Sequence, residues 1–417
     1  MMIKNIKGTK DLLPEATHNI QDIEKHLNQF MYIHGYGEIR TPIFEATELF
    51  QRSVGENTDI VNKEMYTWED QNGQSLTLRP EMTASVVRTY IQNQIWKTEP
   101  ISKFYYIGPS FRRERPQKGR LRQFHQFGIE ALGSMNPEQD AEVVSIAYNI
   151  YKMFGIQNLQ IKINTLGSDN SRQNYEKDLK ASLLKFKSEF NNTEFERLEK
   201  NPLRILDSKK ENIQNIINQY APNIMDYVSI EDQKHFDEVT NILKSMDIPF
   251  THDYKLVRGL DYYNRTVFEV ISNELGAQDA LCGGGRYDNL VKQLGGDSIP
   301  AIGFAAGMER LILAMKLTKN QNMETDIYIV NIKQELINNS MKLADDIRKE
   351  LGVAVYLDSL RRSLKSQMRH ANKMNAKFVI ILDAETIKNN EVIIKDMNNN
   401  TQQSININNI ISHFTSD

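Results

Sequence analysis

The stretch FRRERPQKGRLRQFHQFGIE, residues 111–130, decides the fold of the N-terminal part of this chain. A β-type run, Ile101–Phe111, leads into it, and a second strand-like pattern follows at Phe124–Ile129. Pro116 and Gly119 prevent regular structure between the two runs. The sequence therefore predicts two strands joined by an irregular loop, that is, a long hairpin.

The loop of this hairpin is strongly basic. One acid, Glu114, stands among six cations: Arg112, Arg113, Arg115, Lys118, Arg120 and Arg122. Guanidinium groups can donate paired hydrogen bonds to phosphate oxygens, although a solvated charged turn has the same composition. Gln126 and Glu130 favour a binding site, because residues four apart on a strand share one face. We interpret the hairpin as a basic mouth above a polar floor, suited to an anion and a small polar ligand.

Composition limits the function classes. A chain of 417 residues is long enough for two or three domains, and 40% hydrophobic with 25% charged residues is typical of soluble globular proteins. The net charge of −3 restricts any nucleic-acid surface to a local patch. The single cysteine, Cys282, excludes a disulfide framework, and no histidine spacing predicts a metal site. Without a signal segment or membrane-length apolar run, a cytoplasmic protein that does not contact membranes is predicted.

Two features precede the hairpin. An amphipathic helix is predicted from the apolar stripe Ile20, Ile23, Leu27, Phe30 and Met31. The strand predicted next, Glu38–Phe44, contains Pro42, which places it at a sheet edge. This pair suits a subunit contact, but such a stripe is more often part of an ordinary core.

A second candidate binding element follows. Strand Ser75–Leu78 leads to Pro80, predicted in the first turn of a helix that continues to Gln92. Glu81 then falls at a helix N-terminus, where the helix dipole favours a carboxylate. Helix-start chemistry explains Glu81 adequately unless it faces a pocket.

After the hairpin, the composition and the predicted secondary structure of the chain change twice. A helix at Glu138–Met153 and a strand at Leu159–Thr165 precede a polar, helix-rich segment over residues 171–238, which we interpret as an insertion. Strands are predicted again at Lys255–Val257 and Val267–Ile271.

Two further connections carry candidate ligand-binding residues. Arg258, Tyr262 and Tyr263 lie in one short loop, where tyrosine hydroxyls can position a polar ligand. The glycine triplet 283–285 fits either a close backbone approach or a tight turn. Arg310 stands near the start of a predicted helix, contrary to the dipole, which suggests a ligand, although an outward surface arginine fits equally.

The C-terminal part has the alternation of a compact α/β domain with a mainly parallel sheet, after a polar linker at 316–324. Its predicted strands are 326–330, 353–357, 378–382 and 391–396, and its helices are 336–351 and 363–375. Between residues 358 and 377 six cations face one acid: Arg361, Arg362, Lys365, Arg369, Lys373 and Lys377. Such a helix is usually a solvated face, but in a slightly acidic chain it is also a candidate RNA surface.

Taken together, these motifs resemble the histidyl-tRNA synthetase family of class II aminoacyl-tRNA synthetases. The three class II motifs are similar to GTKDLLP (8–14) with the following helix and strand, the hairpin 111–130, and AIGFAAGMERLILAM (301–315). LVRGLDYYNRTVFEV (256–270) and LCGGGRYDNLV (281–291) resemble the two histidine signatures. The resemblance implies an α+β fold: an antiparallel sheet flanked by helices, with a helical insertion and a C-terminal α/β anticodon-binding domain.

The resemblance also implies domain limits and activity. The expected domains are a catalytic domain in two parts (1–165 and 251–320), a helical insertion (166–250) and an anticodon-binding domain (325–417). The implied reaction activates L-histidine with ATP to histidyl-adenylate, releases pyrophosphate, and transfers histidine to the 3′ end of histidine tRNA. Mg²⁺ is expected with ATP, no metal cage is expected in the protein, and the first motif implies a homodimer.

Site residues are implied position by position. The histidine site would comprise Glu81, Thr83, Arg112, Gln126, Glu130, Arg258, Tyr262 and Tyr263. The ATP site would comprise Arg112, Glu114, Phe124 and Arg310, with Arg258 and Arg112 as the catalytic cations. The tRNA contacts would be Arg115, Gln117, Arg120, Arg122, Arg361, Arg362 and Lys365. Arg113 stands where histidine is common in the family, and no role is assigned to it.

Two alternatives compete with the enzyme. A catalytically silent, synthetase-like regulatory subunit of histidine biosynthesis would tend to lose the C-terminal domain and the charged histidine signature, and both are present here. An RNA-binding scaffold would leave Glu81 and the tyrosine pair unexplained.

Overall fold

The computed structural model describes residues 2–55, 58–117, 119–208, 210–272, 280–315 and 325–415. The chain divides into two compact units, Met1–Asp11 with Ile23–Leu317, and Leu12–Asp22 with Thr318–Asp417. The predicted linker at 316–324 lies outside the described residues, and the predicted domain limits stay predictions. In the part of the chain that is described, no helix is long and apolar enough to cross a membrane.

The N-terminal part of the chain carries eleven strands and ten helices among its described residues. Its strands are β1 Gly37–Glu38, β2 Phe44–Ala46, β3 Tyr66–Glu69, β4 Ser75–Leu78, β5 Ser102–Phe111, β6 Gln123–Leu132, β7 Leu159–Thr165, β8 Phe250–His252, β9 Asn264–Ser272, β10 Ala280–Arg286 and β11 Ala301–Gly307. Its helices are α1 Pro14–Ile33, α2 Thr47–Val54, α3 Thr83–Gln92, α4 Pro137–Met153, α5 Asp169–Leu184, α6 Asn192–Lys200, α7 Glu211–Tyr220, α8 Ile230–Ser245, α9 Leu290–Gln293 and α10 Met308–Ala314.

One large sheet organises the first unit. Its eight strands run in the order β1-β5-β6-β11-β10-β9-β7-β8, and a smaller sheet has the order β2-β4-β3. The central neighbours pair antiparallel, and only the edge strands β1 and β8 pair parallel. Strands β5 and β6 form the predicted hairpin, with ten residue pairs from Ser102↔Leu132 to Phe111↔Gln123. The predicted antiparallel sheet flanked by helices is confirmed.

Apolar stripes of four helices cover one face of this sheet. Ile23, Leu27 and Met31 of α1 join side chains of α4, α8 and α10 in one buried cluster with Phe127 and Phe268 of the sheet. This confirms the predicted amphipathic stripe. A second buried cluster joins α3, α5 and α7 to residues of the large sheet and its loops. The polar segment that we predicted as an insertion is therefore helical and shares an apolar core with the sheet unit.

The predicted strand Glu38–Phe44 is wrong in its middle. The chain leaves β1 after Glu38 and re-forms pairing only at Phe44, in the smaller sheet. The carbonyl oxygens of Thr41 and Pro42 accept hydrogen bonds from the buried guanidinium of Arg79, at 2.8 and 3.2 Å, instead of pairing with a strand. Pro42 also has no N–H to donate to a ladder.

Two other element boundaries differ from prediction. The helix expected to contain Pro80 begins at Thr83, because the Glu81 carboxylate lies outside it and accepts its first N–H groups. The strand expected at Lys255–Val257 is irregular, because the Asn164 side-chain amide donates to the carbonyl oxygens of Tyr254 and Leu256.

The glycine triplet 283–285 lies within strand β10, not in a turn. At Gly284 a Cβ atom would meet the Cα of Phe304 on β11 at 2.8 Å. The close backbone approach that we considered is therefore the correct alternative.

The second unit is a smaller mixed sheet with helices. Its strands are β12 Ile327–Asn331, β13 Val355–Leu357, β14 Phe378–Leu382, β15 Glu391–Asp396 and β16 Thr401–Asn406, and its helices are α11 Ile337–Leu351, α12 Leu364–Lys373, α13 Ala384–Lys388 and α14 Ile410–Thr415. Strands β13, β12 and β14 pair parallel, as predicted, but β15 and β16 add antiparallel pairs. The sequence did not predict β16 or its hairpin with β15. In the turn of this hairpin the Asp396 carboxylate accepts hydrogen bonds from the N–H groups of Asn398 and Asn399.

Candidate active site

A cavity of about 330 Å³ lies at the mouth of the β5–β6 hairpin, beside the start of α3 and the ends of β10 and β11. It brings together residues of the hairpin 111–130, the start of α3, the segments 256–270 and 281–291, and the segment 301–315. The predicted site residues that line it are Glu81, Thr83, Arg112, Glu114, Arg120, Phe124, Gln126, Arg258, Tyr262, Tyr263 and Arg310. They come from four segments that are distant in the chain, namely the start of α3, the hairpin, the loop before β9 and the start of α10, so only the folded sheet assembles the set.

Other predicted site residues lie elsewhere. Glu130 does not line the cavity but lies beneath it, bonded to Thr83. Arg115 and Gln117 are exposed in the hairpin loop, and Arg122 lies at its base, where its N–H donates to the Gly8 carbonyl oxygen. The predicted tRNA residues Arg361, Arg362 and Lys365 belong to the second unit. Arg120, which we predicted as a tRNA contact, lines the cavity.

The floor at the start of α3 is built from Glu81 and Thr83. The buried Glu81 carboxylate accepts hydrogen bonds from the N–H groups of Thr83, at 2.7 Å, and Ala84, at 2.9 Å. Burial raises the pKa of Glu81, and these two N–H bonds counteract the rise. A carboxylate held in this way presents a fixed negative charge to a ligand cation. Glu81 therefore faces the pocket, in addition to its role at the helix start.

Arg112 is held rigidly at the mouth. Its Nε donates to the Pro80 carbonyl oxygen at 2.8 Å, and its guanidinium carbon lies 5.3 Å from the centroid of the Phe124 ring. These contacts leave its terminal nitrogens directed to the cavity that it lines. Glu114 accepts from Arg120 at 3.3 Å, so the mouth also contains a charge pair.

Arg258 lines the cavity from the loop before β9. Its guanidinium forms an ion pair with Glu269 of β9 and lies against the backbone of Gly283, where any Cβ atom would overlap it. Burial alone would lower the pKa of Arg258, but Glu269 raises it, so the cation is maintained. Arg310, another of the four lining arginines, donates to the Ala280 carbonyl oxygen, and burial together with nearby Arg120 lowers its pKa.

The tyrosine pair closes the inner end. The rings of Tyr262 and Tyr263 pack with centroids 4.6 Å apart, and both are almost fully buried. Gln126 completes this end, and its amide oxygen accepts from the Ser110 hydroxyl at 3.0 Å. The Gln126 amide N–H groups and the hydroxyls of Tyr262 and Tyr263 form a small polar compartment of the cavity.

Sequence reasoning missed four residues that the site uses. Glu269 pairs with Arg258, and Glu309 accepts from both the backbone N–H and the ring of His125 at 3.0 and 3.1 Å. Tyr106 and Tyr287 donate hydroxyls to Glu130. One signal could have indicated Tyr106. It pairs with Gly128 across the hairpin, and a glycine partner leaves space for the large polar side chain of the tyrosine.

No metal centre is evident at the site. Among the described residues, no three His, Cys, Asp or Glu side chains are grouped so that they could hold an ion. The lining carboxylates Glu269 and Glu309 are already engaged, by Arg258 and His125 respectively.

Comparison with known proteins identifies the family. The family model for histidyl-tRNA synthetase matches residues 8–311, most of the chain and all of the cavity. The chain belongs to the histidyl-tRNA synthetase family. Its residues 326–416 match the model of an anticodon binding domain, in agreement with the predicted C-terminal domain.

Individual relatives agree over nearly the whole length. A histidine–tRNA ligase of Crocosphaera subtropica is 45% identical over 404 residues, which are 97% of this chain and 93% of that protein. One of Clostridioides difficile is 42% identical over 99% of both chains. The crystal structure of the apo histidyl-tRNA synthetase of S. aureus superposes with a TM-score of 0.83 at 36% identity, covering 99% of this chain and all of that one. These findings favour the ligase over the regulatory-subunit alternative.

Proposed function

We propose that this chain activates L-histidine with ATP, releasing pyrophosphate, and transfers the histidyl group to the 3′ end of histidine tRNA. The observation that carries the proposal is the single cavity in which Arg112, Arg258 and Arg310 surround a floor formed by Glu81 and the tyrosine pair. Cations at the mouth fit a triphosphate and a carboxylate, and the acidic floor fits an ammonium group. Membership of the synthetase family supports the same conclusion.

The chemistry explains why three arginines are needed. Adenylate formation joins two anions, so positive charge must be in place before the histidine carboxylate can approach the α-phosphorus. Transfers at phosphorus need little covalent help from a protein, and alignment with charge stabilisation supplies most of the catalysis. We assign Arg258 and Arg112 to this task because both line the cavity and each is fixed by other residues, Arg258 by Glu269 and Arg112 by the Pro80 carbonyl oxygen.

For the amino acid, we assign Glu81 and Thr83, helped by Gln126, to the α-ammonium group. Tyr263 and the buried Glu130 are assigned to the imidazole, and Tyr262 walls the compartment. Buried polar partners of this kind discriminate against amino acids that cannot pair with them, by about 10⁴–10⁵-fold. Glu130 does not line the cavity itself. It is linked to the lining by the hydrogen bond that the Thr83 hydroxyl donates to it.

For ATP, we assign Arg112 to the α-phosphate, Glu114 to the adenine amino group, Phe124 to the adenine face and Arg310 to the γ-phosphate end. The ring of Phe124 carries Arg112 at cation–π distance, which supports a base and a phosphate side by side. Mg²⁺ would arrive on the phosphates, where it supplies charge neutralisation. The engaged state of Glu269 and Glu309 fits an ion held chiefly by ATP.

The remaining assignments concern the tRNA and the assembly. We propose that Arg115, Gln117, Arg120 and Arg122 approach the acceptor end, and that Arg361, Arg362 and Lys365 contact the tRNA elsewhere. The exposure of Arg115, Arg361 and Lys365 supports this role. A homodimer and a cytoplasmic location complete the proposal.

One assay tests the central claim. Purified protein is incubated with ATP and radiolabelled pyrophosphate, with and without L-histidine, and label entering ATP is measured. Histidine-dependent exchange is expected, and other amino acids should give none. Folded protein that shows no histidine-dependent exchange would contradict the proposed function.

A further inference from the structure

The most elaborate polar cluster beneath the cavity surrounds Glu130. This buried carboxyl group receives three hydroxyl donors: Thr83 Oγ1 at 2.7 Å and Tyr106 at 3.1 Å on Oε1, and Tyr287 on Oε2. The three donors come from α3, from β5 and from the segment after β10, so distant parts of the chain converge on one side chain. Burial of an acid costs folding free energy unless hydrogen-bond partners satisfy its oxygen atoms.

Two glycines make room for this cluster. A Cβ atom at Gly303 of β11 would overlap Glu130 Oε2, and one at Gly128 of β6 would meet the Tyr106 hydroxyl at 2.5 Å. The space is therefore built by the backbone of two neighbouring strands. The backbones of β6 and β11 also approach closely here, since a Cβ atom at Gly128 would meet the Phe304 carbonyl oxygen and one at Gly303 the Ile129 carbonyl oxygen, each at 2.3 Å.

The hydroxyls define what Glu130 can still bind. An ionised carboxylate has about four acceptor positions, and three are taken here. Burial raises the pKa of Glu130 to about 8, while the bonds from Tyr287, Thr83 and Tyr106 act in the opposite direction and favour the charged acceptor. In the ionised form one acceptor position thus remains, in an orientation that the hydroxyls determine, and a ligand N–H at that position would stabilise the ionised form against the raised pKa of Glu130.

We propose that Tyr106 and Tyr287 are positioning residues that orient the Glu130 carboxylate and thereby determine selection of a ring N–H on the bound amino acid. The inference rests on the proposed function and deepens it. Both tyrosines act through Glu130 because neither lines the cavity. Tyr287 has a second link to the site, since its ring packs edge-on against the lining residue Tyr262 at 5.5 Å between centroids.

Loss of one hydroxyl would leave the carboxylate free to turn and would weaken histidine specifically. ATP is assigned to other residues, Arg112, Glu114, Phe124 and Arg310, so its affinity should not change. A hydrogen bond to a charged group is worth about 1.5–3 kcal/mol, which corresponds to about a 10- to 100-fold change in histidine affinity.

The test compares Tyr287→Phe and Tyr106→Phe with the control Tyr105→Phe. Tyr105 is the neighbour of Tyr106 on β5, but it belongs to the apolar cluster on the opposite face of the sheet. Calorimetric titration with L-histidine alone gives the dissociation constant, and pyrophosphate exchange gives KM for histidine, KM for ATP and kcat. We expect the dissociation constant and histidine KM to rise about tenfold or more in both variants, with ATP KM and the control unchanged.

Two results would overturn the inference. One is histidine affinity in both variants equal to that of the wild type. The other is a parallel fall in kcat and thermal stability with both KM values unchanged, which a purely structural role would produce. Wild-type protein that binds histidine but shows no exchange would contradict the proposed function and leave the calorimetric comparison decisive.

Discussion

Arg258 and Glu269 form an ion pair across the wall of the cavity, with the Arg258 guanidinium lying against the backbone of Gly283. The loop that carries Arg258 is irregular, so its side chain depends on two neighbouring strands for its direction. This relationship makes the position of the proposed catalytic cation a property of β9 and β10.

Removal of this cation should affect chemistry more than binding. We expect Arg258→Ala to lower the rate of pyrophosphate exchange by about 10²–10³-fold or more, because charge on the reacting phosphate is no longer stabilised. Histidine binding, measured by calorimetry, should largely survive. Arg197→Ala, at an exposed helical position away from the cavity, serves as the control. Normal exchange by Arg258→Ala would show that the assignment is wrong.

A methyl group at Gly283 should have a similar effect without removing any charge. In Gly283→Ala the new Cβ would displace the Arg258 guanidinium, and misplacement by about 1 Å can cost about 10²-fold in rate. Gly259→Ala is the matched control, because nothing lies within 4 Å of a Cβ there. Exchange rates and circular dichroism of both variants give the measurement. Equal activity of the two variants would count against a fixed Arg258.

The basic surface of the second unit should serve tRNA and not adenylation. We expect Arg361→Gln with Lys365→Gln to weaken tRNA charging while exchange is spared, with a shallower dependence on salt because fewer phosphate contacts remain. Arg362→Gln is tested separately, since Arg362 also pairs with Asp358 at 2.9 Å. The exposed pair Lys342→Gln and Lys349→Gln on α11 controls for net charge. Parallel loss of charging and exchange would indicate a folding defect.

The buried acid should make stability depend on pH. Burial raises the pKa of Glu130 to about 8, whereas an unfolded glutamate titrates near about 4.3. Between these values the folded state keeps a proton that the unfolded state has released. The free energy of unfolding therefore falls as pH rises, by at most about 1.4 kcal/mol per pH unit from this group.

Glu130→Gln lacks this contribution. Urea unfolding of both proteins between about pH 5 and pH 8 should show the wild type losing stability relative to the variant as pH rises. A stability difference that stays constant over this range would mean that the pKa of Glu130 is not raised.

Local sequence determined much of the fold and the membership of the site. Strand periodicity located β5, β6, β7 and β14 closely, because alternation is a property of neighbouring residues. The family motifs likewise named Arg112, Arg258 and Arg310, and one cavity contains all three.

Tertiary structure decided what depends on partners distant in the chain. The break after β1 follows from Arg79, and the late start of α3 follows from the Glu81 carboxylate. Tyr106 and Tyr287 are unremarkable in sequence, and they matter only because three elements converge on Glu130. The basic hairpin loop by itself indicated an anion, whereas the folded sheet placed Arg258, Glu81 and the tyrosine pair around it. Hydrogen bonds between residues far apart in sequence leave no local pattern, and for that physical reason only the structure could show them.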